Sequence, residues 1–298
     1  MNGLQISYLE ASARKRVSGL CDADSFSEFC PPQMRQTSPH LALLDAPLAF
    51  DDGVVVGRAL LDGHPVLVAA QEGRFNGGAV GEVHGAKLRG LLDKALTARP
   101  SAVLLLVDSG GVRLHEANAG LIAISEIMRA VLRVQAAGIP VFAFVGGSCG
   151  AFGGMGIVTR LCNEVVMSEQ GRLGLSGPEV IETVKGVEEF DSRDRALVWR
   201  ITGGKLRRAL GEATLLVDDL IPAFRTAAAK LIGRYLAHPL NSPDLDDLLA
   251  AQASLCERSR RFADARDGRE IWQAAFADAA RVPDMTVAEF NVQLGEAK

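Results

Sequence analysis

The chain has 298 residues, 48% hydrophobic and 23% charged, with a formal net charge of −4 from 32 basic and 36 acidic side chains. That is enough to bury a sizeable core in one large domain or two modest ones, and the charge balance excludes the global basic field of a nucleic-acid-binding protein. Five cysteines, an odd number with no CxxC spacing, argue against a disulfide framework or a zinc ribbon and for a reducing compartment.

The first residues, MNGLQISYLEASARKR, are charged and contain no apolar segment of a secretory signal. No run approaches the roughly 18 apolar residues of a membrane span, so a cytoplasmic protein with no membrane partner is expected. Residues 7–20 (SYLEASARKRVSGL) predict a short basic helix. The following segment, to about Phe50, is rich in Pro, Ser and Asp, with Pro31-Pro32, Pro39 and Pro47. It reads as an extended arm of the kind that lies on a neighbouring surface or subunit, so residues 1–50 form a first unit.

From Asp52 the pattern changes. VVVGRALL and PVLVAAQ are strand-like runs joined by Leu61-Asp62-Gly63-His64, a hairpin signal through Asp-Gly. The glycines of EGRFNGGAVGEVHG break the periodicity and permit close backbone approach. Residues 82–98 then show helical spacing through Val83, Leu88, Leu91, Leu92 and Leu96. AVLLLV reads as a buried strand, Leu114 to Ala137 as a helix and Pro140 to Val145 as another buried strand. A short helix from about Gly153 and the strand EVVMSE (Glu164 to Glu169) follow. Strands without alternation are covered on both faces, which predicts an α/β layer structure with parallel strands. GRLGLSGPEVIETVKG adds a short strand and a helix opened by Pro178. Two short helices around Gly203-Gly204, a short strand in EATLLVDDL and a helix over 221–237 complete a core of residues 51–238. The charged tail, 239–298, is helical by spacing.

Two hydrophobic runs inside this core each end in a glycine pair: VLLLVDSGGVRLHEA (Val103 to Ala117) and VFAFVGGSCGAFGGMGIV (Val141 to Val158). A strand that stops at glycines and turns into a helix presents bare N–H groups at a positive helix end. The corners Ser109-Gly110-Gly111 and Gly153-Gly154 therefore suggest an oxyanion hole. One amide from each, about 3 Å from a thioester oxygen, would stabilise an enolate.

Competing signals are weaker. Gly146-Gly147-Ser148-Cys149-Gly150 matches G-x-S-x-G, which would make Ser148 a hydrolase nucleophile, but only His238 follows it and no clear strand precedes that histidine. Cys149 has no basic neighbour in sequence and reads as a small buried hydrophobe. His40, His64, His84 and His115 share no metal-ligand spacing, so no metal is expected. His115-Glu116 follows the first corner, where capping and a chemical role both remain open.

DSGGVRLHE, GAFGG and GRLGLSGPEVIE resemble SGGARMQE, PTMGG and GFAGPRVIE, three motifs of the carboxyltransferase branch of the crotonase superfamily. Their order and spacing are kept over about residues 53–210. Within that branch the chain is similar to the β-subunit family of biotin-independent malonate decarboxylases. It departs from acetyl-CoA carboxylase β subunits, whose four-cysteine zinc ribbon Cys21 and Cys30 cannot form.

The resemblance implies an α/β fold, a crotonase-like spiral of β-β-α units with a helical C-terminal tail. It implies three partners: a homologous crotonase-like second subunit (γ), an acyl carrier protein and an acyl carrier transferase subunit. The substrate would be a malonyl thioester on the coenzyme-A-like phosphopantetheine prosthetic group of the carrier, and the products carbon dioxide and the acetyl thioester. No cofactor would be bound directly, and biotin is not expected. Motif matching places Gly110 and Gly111 on the first oxyanion corner and Gly153 and Gly154 on the second, with His115 and Glu116 as further catalytic candidates. Ser109, Arg113, Ser148, Gly150, Ser176 and Gly177 are the substrate-binding candidates. The alternatives are the carboxyltransferase subunit of a biotin-dependent malonate decarboxylase or acyl-CoA carboxylase, a serine hydrolase, and a scaffold subunit without chemistry of its own.

Overall fold

A computed structural model describes residues 6–34, 37–39, 52–241 and 243–296. The distal half of the expected arm, with His40 and Pro47, lies outside the described residues. A seven-stranded sheet runs in sequence order: β1 (Ser27–Phe29), β2 (Val54–Leu61), β3 (His64–Gln71), β4 (Ala102–Val107), β5 (Val141–Val145), β6 (Glu164–Ser168) and β7 (Leu215–Val217). The first three strands pair antiparallel, and β3 to β7 pair parallel. Asp62 and Gly63 close the β2–β3 hairpin with φ of 52° and 77°, the left-handed pair that a two-residue turn requires.

Strands β3 to β6 are each followed by one or two single-residue bridges and then a helix. Val80 precedes α2 (Glu82–Ala98), Ser109 and Val112 precede α3 (Ala119–Ala136), Ala151 precedes α4 (Gly153–Leu161), and Leu173 precedes α5 (Pro178–Lys185). The bridges pair parallel with one another, Val80 with Val112 and Ser109 with Ala151 with Leu173. The repeated unit is therefore strand, bridge, helix, the expected β-β-α spiral.

All of β4, β5 and β6 is buried, which is why these strands read as unbroken apolar runs. Alternate residues feed two cores. Val103, Leu105, Val141 and Ala143 pack beneath α2, α3 and α4. Leu104, Leu106, Phe142 and Phe144 face α1 (Ala13–Leu20) and α8 (Ile221–Ala237). In the chain before α8 come α6 (Arg195–Thr202) and α7 (Gly204–Ala209), which pack against each other. In the tail, α9 (Leu245–Arg261) has no buried residue, whereas α10 (Gly268–Ala275) and α11 (Val287–Glu296) send Trp272, Phe290 and Leu294 into the first core.

Three boundaries differ from the sequence reading. The helix expected from Leu114 begins at Ala119, because Leu114–Glu116 form a 3₁₀ turn and Ala117 breaks it with φ 49° and ψ −129°. The strand expected in GRLGLSG is reduced to bridges at Arg172 and Leu173. The basic helix starts at Ala13, where the Ser12 side chain accepts the Lys15 amide and caps it. Among the described residues no helix is long and apolar enough to cross a membrane, and no group of acidic, histidine or cysteine side chains is placed to hold a metal.

Candidate active site

The candidate site lies in the loops at the carboxyl ends of the parallel strands, where open parallel sheets commonly place their ligands. The chain leaves β4 at Val107, turns through Asp108 to Val112, and crosses the loop that leaves β5. Ser109 N–H donates to Gly150 O at 2.7 Å, and Phe152 N–H donates to Ser109 O at 2.9 Å. Gly111 has φ 145° and Gly153 φ 58°, both unfavourable for a residue with a Cβ. A Cβ on Gly153 would fall 3.2 Å from the Gly111 Cα, so the two corners are in contact.

The amides of the corners are not equivalent. Gly110 N–H is committed to Gly77 O at 2.9 Å and Gly153 N–H to Leu175 O at 2.8 Å. Gly111 N–H makes only a long contact, 3.3 Å, to Ser109 Oγ. Gly154, in the first turn of α4, has no acceptor for its amide among the described residues. The donors left for an external oxygen are those of Gly111 and Gly154, one from each corner.

The other sequence candidates divide into two groups. Ser109 is fully buried and Gly150 takes φ 70°, holding the loops together beside the corners. Ser148 is exposed, and its carbonyl accepts the Arg172 guanidinium. Ser176 is half-buried, and Gly177 caps α5 ahead of Pro178. Arg113 and Glu116 instead face the start of α2. Glu116, 1% exposed, accepts the Glu82 amide at 2.6 Å and Arg113 Nη1 at 3.0 Å, and Arg113 also donates to the carbonyls of Ala79 and Asp52. His115 is 46% exposed, with Nε2 4.0 Å from Glu116 Oε1.

His238 ends α8, whose last turn bonds Glu164, the first residue of β6, through Arg234 and Tyr235. Ser148 lies just beyond Val145, the carboxyl end of β5. Serine and histidine thus lie at opposite ends of the parallel strands, which removes the hydrolase reading.

Sequence reasoning missed a polar network under the corners. Asp108, 1% exposed, accepts Arg16 Nη1 at 2.7 Å through Oδ2 and the Cys149 amide at 2.7 Å through Oδ1. Its own amide donates to Gln71 Oε1 at 3.3 Å. Gln71 Nε2 lies 3.0 Å from His84 Nε2, and His84 Nδ1 lies 3.0 Å from Asp52 O. That arrangement sets the tautomer, with Nδ1–H donating to the carbonyl and Nε2 accepting from the amide. Burial, aided by Arg113 and Lys87, pushes the His84 pKa down to about 3, so the ring is neutral. Burial and the Asp108 charge raise the Cys149 thiol pKa, keeping it protonated and unreactive. The available signal was a lone aspartate closing an apolar strand, the kind of position where a buried charge needs a partner.

A parallel-strand spiral that brings two glycine corners into contact at its strand ends defines a crotonase-type carboxyltransferase fold. The chain belongs to the carboxyl transferase domain family, whose profile matches residues 10–200. It is 42% identical over 240 residues to the malonyl-S-ACP:biotin-protein carboxyltransferase of Malonomonas rubra, covering 76% of this chain and 75% of that protein. Among solved structures it is similar to a chain of a Pseudomonas malonate decarboxylase hetero-tetramer in complex with malonate. That match has a TM-score of 0.79 and 39% identity, over 90% of this chain and 96% of that one. A chain of a Pseudomonas malonate decarboxylase hetero-dimer matches with a TM-score of 0.67 and 38% identity, over 88% and 98% of the two chains.

Proposed function

We propose that this chain is the subunit of a malonate decarboxylase that removes carbon dioxide from a malonyl thioester carried on an acyl carrier protein. The observation that carries the reading is the contact between Gly111 and Gly153, beside which the Gly111 and Gly154 amides lack a short acceptor among the described residues and so could serve an external oxygen. Decarboxylation of a malonyl thioester needs no base, since the electrons of the breaking C–C bond move onto the thioester carbonyl. The catalyst must stabilise the enolate oxygen and hold the carboxylate out of the thioester plane. Backbone amides suit this because they are pre-oriented and do not titrate. One proton must then reach the enolate carbon, and we assign its delivery to His115, the half-exposed imidazole on the turn after the first corner. Ser109 and Gly150 hold the corners, while Ser148, Ser176 and Gly177 line the approach of the phosphopantetheine arm.

Apolar side chains stand exposed on the turns beside the corners, Leu114 at 87% and Leu175 at 70%, and on the last turn of α5, Val184 at 81%. An apolar rim of this kind supports coverage by another subunit, here a homologous crotonase-like chain, with the carrier protein and its transferase completing the assembly.

The similarity to a biotin-protein carboxyltransferase supports a second reading. In it the same enolate forms but the carboxyl group passes to biotin on another protein. Carbon dioxide release from malonyl carrier protein by the reconstituted subunits, measured with and without avidin, separates the two. Release that resists avidin fits direct decarboxylation, release that avidin abolishes selects the transferase, and no turnover by folded subunits refutes both.

A further inference from the structure

We propose that the buried Arg16–Asp108 pair is a positioning element that sets the spacing of the two glycine corners, an inference that rests on reading those corners as the oxyanion site. Asp108 directly precedes the first corner. Its Oδ1 takes the Cys149 amide at 2.7 Å, in the loop leading to the second. One carboxylate therefore ties both corners together.

The space around that carboxylate is closed by backbone. A Cβ on Gly147 would fall 2.1 Å from its Cγ, one on Gly73 would fall 2.7 Å from Oδ2, and one on Gly78 would fall 1.8 Å from the Asp108 carbonyl oxygen. Three glycine loops thus pack against one residue, and a shift of Asp108 moves all of them.

Arg16 fixes the carboxylate from the opposite side of the sheet. Its Nη1 donates to Asp108 Oδ2 at 2.7 Å, its Nε to Tyr8 O at 2.9 Å and its Nη2 to Leu9 O at 3.2 Å. The guanidinium lies 4.8 Å from the centre of the Tyr8 ring, which stacks on Phe224 with centroids 3.9 Å apart. The N-terminal helix α1 is in this way fastened to the floor of the site. Both side chains of the pair are 2% exposed, so neither touches substrate. Stability is a poor reason for such a pair, since well-packed apolar side chains of similar volume are often as stable as a buried ion pair. The geometry it imposes on Cys149 and Ser109 is a sufficient one.

The test uses the assembled complex with malonyl carrier protein, comparing wild type with Asp108→Asn, Arg16→Met and the double variant. A misplaced corner lowers kcat by about 10- to 100-fold with KM within about twofold. The double variant should lose no more than the worse single one, because the two residues act as a unit. An unchanged kcat in a folded Asp108→Asn complex, a loss confined to KM, or losses that multiply in the double variant would overturn the proposal. Should Asp108→Asn fail to assemble, Arg16→Lys keeps the charge, gives up the guanidinium fork and is judged by the same criterion.

A second readout needs no malonyl chemistry. In the isolated chain, iodoacetamide labelling of Cys149, followed by peptide mass analysis against the exposed Cys30 and Cys256, should speed up in Arg16→Met, where loss of the positive charge by itself would slow it. Unchanged or slower labelling in that variant would count against the anchor. Faster labelling in a chain whose wild-type complex leaves the malonyl thioester intact would keep the anchor and refute the functional reading.

Discussion

Gly111 and Gly153 meet so closely that a Cβ on the second would sit 3.2 Å from the Cα of the first, although the two belong to successive turns of the spiral. Neither could carry a side chain without strain, at φ of 145° and 58°. On either side of the contact stand one weakly engaged amide, Gly111, and one without an acceptor among the described residues, Gly154, the kind of backbone donors from which the proposed oxyanion site would be built.

Gly111→Ala tests that use of the contact. Nothing lies within 4 Å of the added Cβ, so the cost falls on the backbone, about 1–3 kcal/mol. The complex should assemble while kcat drops by about 10²- to 10³-fold, because the alanine leaves φ 145° and turns its N–H away, an effect equivalent to one lost oxyanion donor. Steady-state kinetics and a melting curve on the same sample check it. Gly154→Ala is a poorer probe, because its Cβ would strike Ile124 at 2.6 Å.

Glu116 and His115 should part company. Glu116→Ala leaves Arg113 buried without its carboxylate, a loss of about 3–5 kcal/mol, or roughly 6–20 °C in melting temperature. His115→Gln should leave melting unchanged and lower kcat by about 10²- to 10⁴-fold, as expected for a proton donor. Thermal unfolding of both variants beside their turnover decides, and the reverse pattern would exchange the two roles.

The neutral His84 makes stability depend on pH with a definite sign. Its folded pKa is about 3 against an ordinary 6.5, so below pH 6.5 the unfolded chain binds a proton that the folded chain does not. The contribution is complete above pH 6.5 and is lost as pH falls towards 3, at about 1.4 kcal/mol per unit. Urea midpoints at pH 7 and pH 5 should show the fall, and His84→Gln should flatten it.

Much of this was legible in the sequence. The strands β4 to β6 were readable because burial on both faces leaves no polar alternation, and the glycine corners were readable because only glycine suits a strand-to-helix turn of that kind. The start of α3 was misread because apolar spacing continues through Leu114, while the break falls at Ala117, a residue that carries no turn signal. The Arg16–Asp108 pair was out of reach. Its members lie 92 positions apart, and a charged side chain looks the same in sequence whether solvated or buried. Nor does any pattern say that Gly110 and Gly153 spend their amides on Gly77 and Leu175.

The apolar rim gives a prediction about assembly. Leu175→Glu and Val184→Glu place charge on exposed side chains, so the melting of the isolated chain should change by less than about 0.5 kcal/mol. Association with the crotonase-like partner, followed by sedimentation velocity, should weaken or disappear. Full-strength association by both variants would move the interface elsewhere.

The most direct test of the enolate account is the mass of the carrier-bound product formed in deuterium oxide by the reconstituted complex with avidin present. An acetyl thioester bearing one deuterium on its methyl group, with carbon dioxide released in equal amount, is the predicted result. A malonyl thioester left intact, or a carrier stripped of its acyl group by hydrolysis, would contradict it.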